Sequence, residues 1–196
     1  MNRGARNMLV LGLISVSAWQ AGEAAYLYTK AWLAQKLIAS AWNQARDRGE
    51  AVRPWPWADT YPVARIEAPV QGESVMVLAG ASGRTLAFGP GHVEGTPLPN
   101  EPGNSVVSGH RDTHFSFLRK LHRGDVLLVQ SGRGSVARYR VRATEVVHRR
   151  DVRVLMDAGD DRLTLVTCFP FDSPVPGGPL RYVVVAVREK SPAVRA

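Results

Sequence analysis

The chain has 196 residues, 25 Lys plus Arg against 17 Asp plus Glu, a formal net charge of +8, and 45% hydrophobic residues. That is enough apolar material for one compact domain with an added segment. The positive charge is scattered Arg, with no dense basic block and no basic–aromatic interleaving; this argues against nucleic acid as a partner and suits a domain held near anionic lipid headgroups.

At the N-terminus Arg3 and Arg6 precede a nearly charge-free run from Met8 to Trp19. Gln20 and Glu23 interrupt it, and apolar character resumes through Tyr28. No clean A-x-A cleavage site follows, so the pattern predicts an uncleaved signal anchor within residues 1–28. Trp19, Tyr26 and Tyr28 are expected at its outer interface. Positive charge ahead of the run predicts a cytoplasmic N-terminus and a single pass of the cytoplasmic (inner) membrane. The remainder is then extracytoplasmic or periplasmic. Residues 29–62 read as a spacer: first a helix with Leu33, Leu37 and Ala41 at helical spacing, then a linker broken by Pro54, Pro56 and Pro62. Trp55 and Trp57 are expected to pack on the surface of the adjoining domain.

Residues 63–190 change to β character, leaving 191–196 as a tail. "VARIEAP", "ESVMVLAG", "NSVVSGH", "DVLLVQS", "ARYRVRATEVV", "RLTLVTC" and "RYVVVAVRE" are short runs separated by Gly, Pro, Asn and Asp. Period two sets Tyr139, Val141 and Ala143 on one face and Arg138, Arg140 and Arg142 on the other. Short helices are expected near Thr85 to Phe88 and Phe115 to Leu121. Seven or eight strands with few helices predict a mainly β fold, a sandwich or a closed barrel.

One cysteine, Cys168, ends a strand just before "FPFD". Alone it can form neither an intramolecular disulfide nor a thiolate metal site. It is either a small buried hydrophobe or a nucleophile, and a nucleophile needs a base or a cation beside it. His110 follows a strand and a Gly in "SVVSGHRDTHF", and Arg181 opens the last strand after "GGPL". Strand ends of a barrel share a rim, so the three can meet. Together they suit acyl transfer. Cys168 attacks a carbonyl, His110 exchanges protons with leaving and entering amines, and Arg181 stabilises the oxyanion or holds the substrate.

These stretches resemble the sortase family of cysteine transpeptidases. The T-L-x-T-C pattern stands at Thr164-Leu165-Val166-Thr167-Cys168, the His loop at residues 108–125, and the Arg opening the final strand at Arg181. Residues 88–104 are similar to the loop that precedes the His strand, and the likeness runs from about Ala64 to Glu189. With "GHRDTHF" and the Trp-Pro linker, the chain looks closest to the sortases of Gram-negative bacteria, the proteobacterial class GN type. The resemblance implies a closed eight-stranded sortase β-barrel behind an N-terminal membrane-anchor helix. It implies a thiol protease and transpeptidase of protein sorting at the cell envelope. The implied reaction cuts an LPxTG-like C-terminal signal of a secreted or membrane protein and passes the acyl group from Cys168 to an amine acceptor.

Among the neighbours, Thr167 is expected to line the site beside the thiol. Asp112 either orients the His110 imidazole or caps the next helix. His92 reads as structural, His122 and His148 as surface, and His114 lacks the further ligands a metal would need. No acidic cluster suggests calcium, so neither cofactor nor metal is expected. Two other readings stay open. An L,D-transpeptidase-like thiol acyltransferase would need a Gly-Cys arrangement that "LVTC" lacks. In a non-catalytic membrane-anchored binding module Cys168 would be inert.

Overall fold

The computed structural model describes residues 3–157, 159–175 and 177–189; the expected tail, 191–196, lies outside the described residues, as do the side chains of Ala5, Arg6 and Leu9. The elements run α1 (Arg3–Arg48), β1 (Pro62–Ala68), β2 (Glu73–Ala79), α2 (Gly83–Leu86), β3 (Gly91–His92), β4 (Asn104–Ser108), a 3-10 turn (Ser116–Lys120), β5 (Val126–Ser131), β6 (Val136–His148), a second 3-10 turn (Val152–Leu155), β7 (Arg162–Phe169) and β8 (Leu180–Arg188).

The strands close into a barrel in the order β1-β2-β3-β4-β7-β8-β6-β5. All pairings are antiparallel except β2 with β3 and β4 with β7. Each of the seven expected β runs is a strand, and the barrel rather than the sandwich is realised. The eighth strand, β3, is two residues long and too short to show a period of two. It exists because its neighbours approach closely. A Cβ on Gly91 would stand 2.2 Å from the Gly80 carbonyl oxygen, so only glycine fits.

Inward-facing side chains of the strands fill the core: Ile66, Val77, Val107, Leu127, Val129, Tyr139, Leu163, Leu165 and Val184 are essentially inaccessible. Phe115, Phe117 and Leu118 close over them from the turn after β4. The expected alternation along β6 holds for Tyr139 and Val141 but fails at Ala143, which is exposed. The register of β6 against β8 shifts between Val141 and Ala143, and such a bulge swaps the faces beyond it.

The chain divides after Leu37 into two compact units. In the first, α1 exposes Leu11, Leu13, Ile14, Trp19, Tyr26 and Tyr28. No helix among the described residues is long and apolar enough to cross a membrane. The membrane-spanning helix expected within residues 1–28 is therefore not borne out. Gln20 and Glu23 cut the apolar run short of a bilayer's thickness. Nor does α1 break at residue 28; it continues to Arg48. In the second unit its last turns bury Ile38, Ala41, Trp42 and Ala45, an i, i+3, i+4, i+7 stripe facing the barrel. In the linker Trp55 packs edge-on against Phe88, ring centroids 5.1 Å apart. Trp57, expected to pack, is 82% exposed, because the turn closed by the Ala58 N–H on the Trp55 carbonyl carries it outward.

Candidate active site

The site begins with the parallel pairing of β4 and β7. Ser108 pairs with Val166, and the Gly109 N–H donates to the Val166 carbonyl at 3.1 Å. β4 ends at Ser108, and His110 follows two residues on, at the end of the barrel where β7 carries Cys168. On the other side of β7, Cys168 pairs directly with Arg181 of β8. Arg181 therefore stands beside Cys168 across the β7–β8 pair, about 5 Å away between Cα atoms, and His110 follows Gly109, which is bonded to β7 two residues before the thiol. Cys168 is half-buried and free, His110 exposed, and Arg181 half-buried.

Each group is held by its neighbours. Buried Thr167 donates its hydroxyl to the Gly109 carbonyl at 2.7 Å, tying the backbone before His110 to the strand that carries the thiol. Thr167 shares the inward face with Leu163 and Leu165, while Cys168 faces out. Gly109 has no room for a side chain, since a Cβ would lie 2.7 Å from the Phe115 ring. The Phe115 N–H donates to the His110 carbonyl, which folds this segment back on itself. Arg181 Nη1 donates to the carbonyls of Gly178 and Leu180 at 2.7 and 2.8 Å. Its Nε and Nη2 make no hydrogen bond among the described residues and remain able to receive an oxyanion. Phe169, Phe171 and Tyr182 form an aromatic cluster with centroids 5.2 to 6.3 Å apart, Phe171 and Tyr182 packing against the core on the inward face.

Asp112 is exposed and makes no side-chain hydrogen bond among the described residues, so neither expected role is realised. The 3-10 turn begins at Phe115 with no side-chain cap. His92 is buried, its Nε2–H donating to the Pro97 carbonyl at 2.9 Å, a structural histidine. Burial, and then the neighbouring His110, hold His114 below the ordinary imidazole value. Among the described residues no three His, Cys, Asp or Glu side chains converge on a metal position.

A groove leads away from the thiol along the outer face of β4, β7, β8 and β6. Its upper part is a cavity of about 180 Å³ between Val106, Ser108, Val166 and Arg181 on the sheet and Val152 and Leu155 on the turn above. Beyond lies a smaller, polar hollow lined by Asn104, Glu145, Arg153 and Thr164. Asn104 holds the turn in place. Its Nδ2 donates to the carbonyls of Val154 and Met156, both at 3.0 Å, and its Oδ1 accepts from the Thr164 hydroxyl at 2.7 Å. The turn Val152–Leu155 was not singled out in the sequence, where residues 149–157 read RRDVRVLMD and carry neither a period of two nor a motif. A larger cavity of about 320 Å³, between the end of α1 and the β5–β6 turn, lies at the opposite pole from Cys168.

A closed eight-stranded mixed barrel with a half-buried cysteine paired across two strands with an arginine at one rim defines the class of fold. Within that class the chain belongs to the sortase family, whose domain model matches residues 66–189. It is 32% identical over 124 residues to Sortase D of Bacillus subtilis, a match covering 63% of this chain and 62% of the relative's length. Sortase C-1 of Actinomyces oris superposes with a TM-score of 0.60 at 30% identity, covering 81% of this chain and 98% of that one. A Sortase D5 transpeptidase of Clostridium perfringens shares the fold, with a TM-score of 0.66 at 22% identity over 81% and 99% of the two chains.

Proposed function

We propose that the protein is a cysteine transpeptidase that cuts an LPxTG-like sorting signal and joins the new carboxyl end to an amine. The observation that carries this reading is the pairing of Cys168 with Arg181 at the end of a groove that Arg181 itself lines. The groove runs along the strands, which suits an extended peptide. The Cys168 thiolate attacks the scissile carbonyl carbon, and the oxygen takes up the negative charge. Arg181 donates to that oxygen. Collapse of the intermediate breaks the C–N bond, and His110 supplies the proton with which the amine leaves. Cys168 then holds the acyl group as a thioester. An incoming amine gives a proton to His110, attacks the thioester carbonyl, and releases the thiolate.

The same reading puts the barrel on the outer side of the cytoplasmic membrane, with the apolar side chains of α1 in contact with lipid. Protease added to spheroplasts should then digest it; full protection until lysis overturns that location. The Gram-negative subgroup is carried only by "GHRDTHF" and the Trp-Pro linker. A fluorogenic LPxTG-type peptide tests the chemistry. Wild type should cleave it and accumulate a thioester on Cys168, detected as a mass increase of the intact protein, and Cys168→Ala should do neither. Near wild-type cleavage by Cys168→Ala removes Cys168 as the nucleophile.

A further inference from the structure

Arg111 follows His110 and has no part in the reaction above. Its side chain is only 8% exposed. One guanidinium nitrogen, Nη2, donates to the carbonyls of both Ser173 and Val175 at 2.7 Å. Ser173 and Val175 are themselves joined, Ser173 Oγ donating to the Val175 carbonyl and accepting from its N–H, so the two carbonyls stand together. No carboxylate pairs with Arg111 among the described residues, and its Nη1 is buried without a partner. A buried cation with no counter-ion and an unmade hydrogen bond is costly. The position explains why the cost is borne. Residues 171–175 lie in the connection from β7 to β8, between Cys168 and Arg181. Arg181 grips the far end of that connection through Gly178 and Leu180. Arg111, on the segment that carries His110, grips the near end.

We infer that Arg111 is a positioning residue. It locks the β7–β8 connection to the His110 segment, so that His110, Cys168 and Arg181 keep their spacing through both halves of the reaction. The inference rests on the acyl-transfer reading of the site. Arg111 touches neither substrate nor reacting atoms, and its effect therefore falls on turnover rather than on peptide binding.

The test uses the full chain. Turnover of an LPxTG-type peptide is measured for wild type, Arg111→Ala and Arg111→Lys, with Cys168→Ala as the zero, and hydrogen–deuterium exchange of residues 171–175 is followed in the same samples. Arg111→Ala should lower kcat about 10- to 100-fold with KM nearly unchanged, as expected for a misplacement on the order of 1 Å. Exchange at 171–175 should rise while β7 and β8 stay protected. Arg111→Lys should recover most of the rate, because one ammonium can donate to both carbonyls. A wild-type kcat in Arg111→Ala, a loss confined to KM, a Lys variant no better than Ala, or unchanged exchange at 171–175 overturns the inference. Should the Ala variant not fold, a Lys variant with a loosened 171–175 segment and an undiminished kcat overturns it equally. Should wild type cleave no such peptide, the acyl-transfer reading falls, and the exchange measurement alone decides whether Arg111 holds the segment.

Discussion

Arg181 stands beside Cys168 with Nη1 fixed by two backbone carbonyls and the rest of its fork open. Lysine could supply the charge there but not a donor held on one side while another points at the oxyanion. Arg181→Ala should therefore slow single-turnover acylation about 100- to 1,000-fold. Arg181→Lys should restore only a small part, and His110→Ala should be comparably severe. Acylation of Arg181→Ala at the wild-type rate would remove the residue from the site. A second expectation concerns pH. His114 is held below its ordinary value by burial and then by His110. Below the unfolded imidazole value, about 6.5, the unfolded chain binds a proton at this position that the folded chain resists, so stability falls as pH falls. The melting temperature should drop between about pH 7 and about pH 5, and His114→Gln should flatten that drop. An identical pH dependence in the variant would assign the acid limb to other groups. Cys168, His110, Arg181 and Thr167 could be picked out in the sequence because Thr167 and Cys168 lie in one compact motif, His110 follows a strand and a glycine, and Arg181 opens the last strand after a Gly-Pro loop. Arg111 could not, although it lies within "GHRDTHF". Its partners are 62 and 64 residues away.

At the scale of elements, the groove depends on how the turn Val152–Leu155 is hung from β4. Asn104 is buried and makes three hydrogen bonds that no small apolar side chain can replace. Asn104→Ala leaves two carbonyls and the Thr164 hydroxyl unsatisfied, at a cost of about 1–3 kcal/mol. The turn should loosen, so KM for the peptide should rise more than kcat falls. Steady-state kinetics together with thermal melting check this; an unchanged KM would dissociate the turn from peptide binding. The β runs were readable because alternation and turn chemistry are local properties. The exceptions depend on partner strands. Strand β3 holds two residues and is created by contact with β2 and β4. Ala143 left its predicted face because a bulge opposite β8 shifted the register. The two expected short helices appear as a single turn of α-helix, Gly83–Leu86, and a 3-10 turn, Ser116–Lys120, close to their expected positions.

At the scale of the whole molecule, the barrel with the last turns of α1 forms one compact unit, and residues before Ile38 form another. The second unit carries its own core, including Ile38, Trp42 and the inward faces of the strands. Removing residues 1–37 should therefore leave the melting temperature and peptide cleavage nearly unchanged in solution, since a domain with its own core folds alone. A large loss of stability would show that the first segment contributes to the barrel. The same segment shows the reach of composition. Its apolar run and leading arginines suggested a membrane crossing, yet polar residues inside the run leave no helix among the described residues apolar enough for one. The sequence by itself determined a β-rich domain, its strand positions, and a thiol, an imidazole and a guanidinium at three strand ends, because period-two alternation, turn residues and the T-L-x-T-C motif are written over a few neighbouring positions. Only the tertiary structure decided the order of strands, the parallel contact of β4 with β7 that carries the His110 segment to the end of β7 holding Cys168, the groove beneath Val152–Leu155, and the grip of Arg111. Each of these joins residues far apart in the chain, such as Thr167 and Gly109 across 58 positions. Such pairings are selected by closure of the barrel and burial of its core, not by any local preference of the residues that meet.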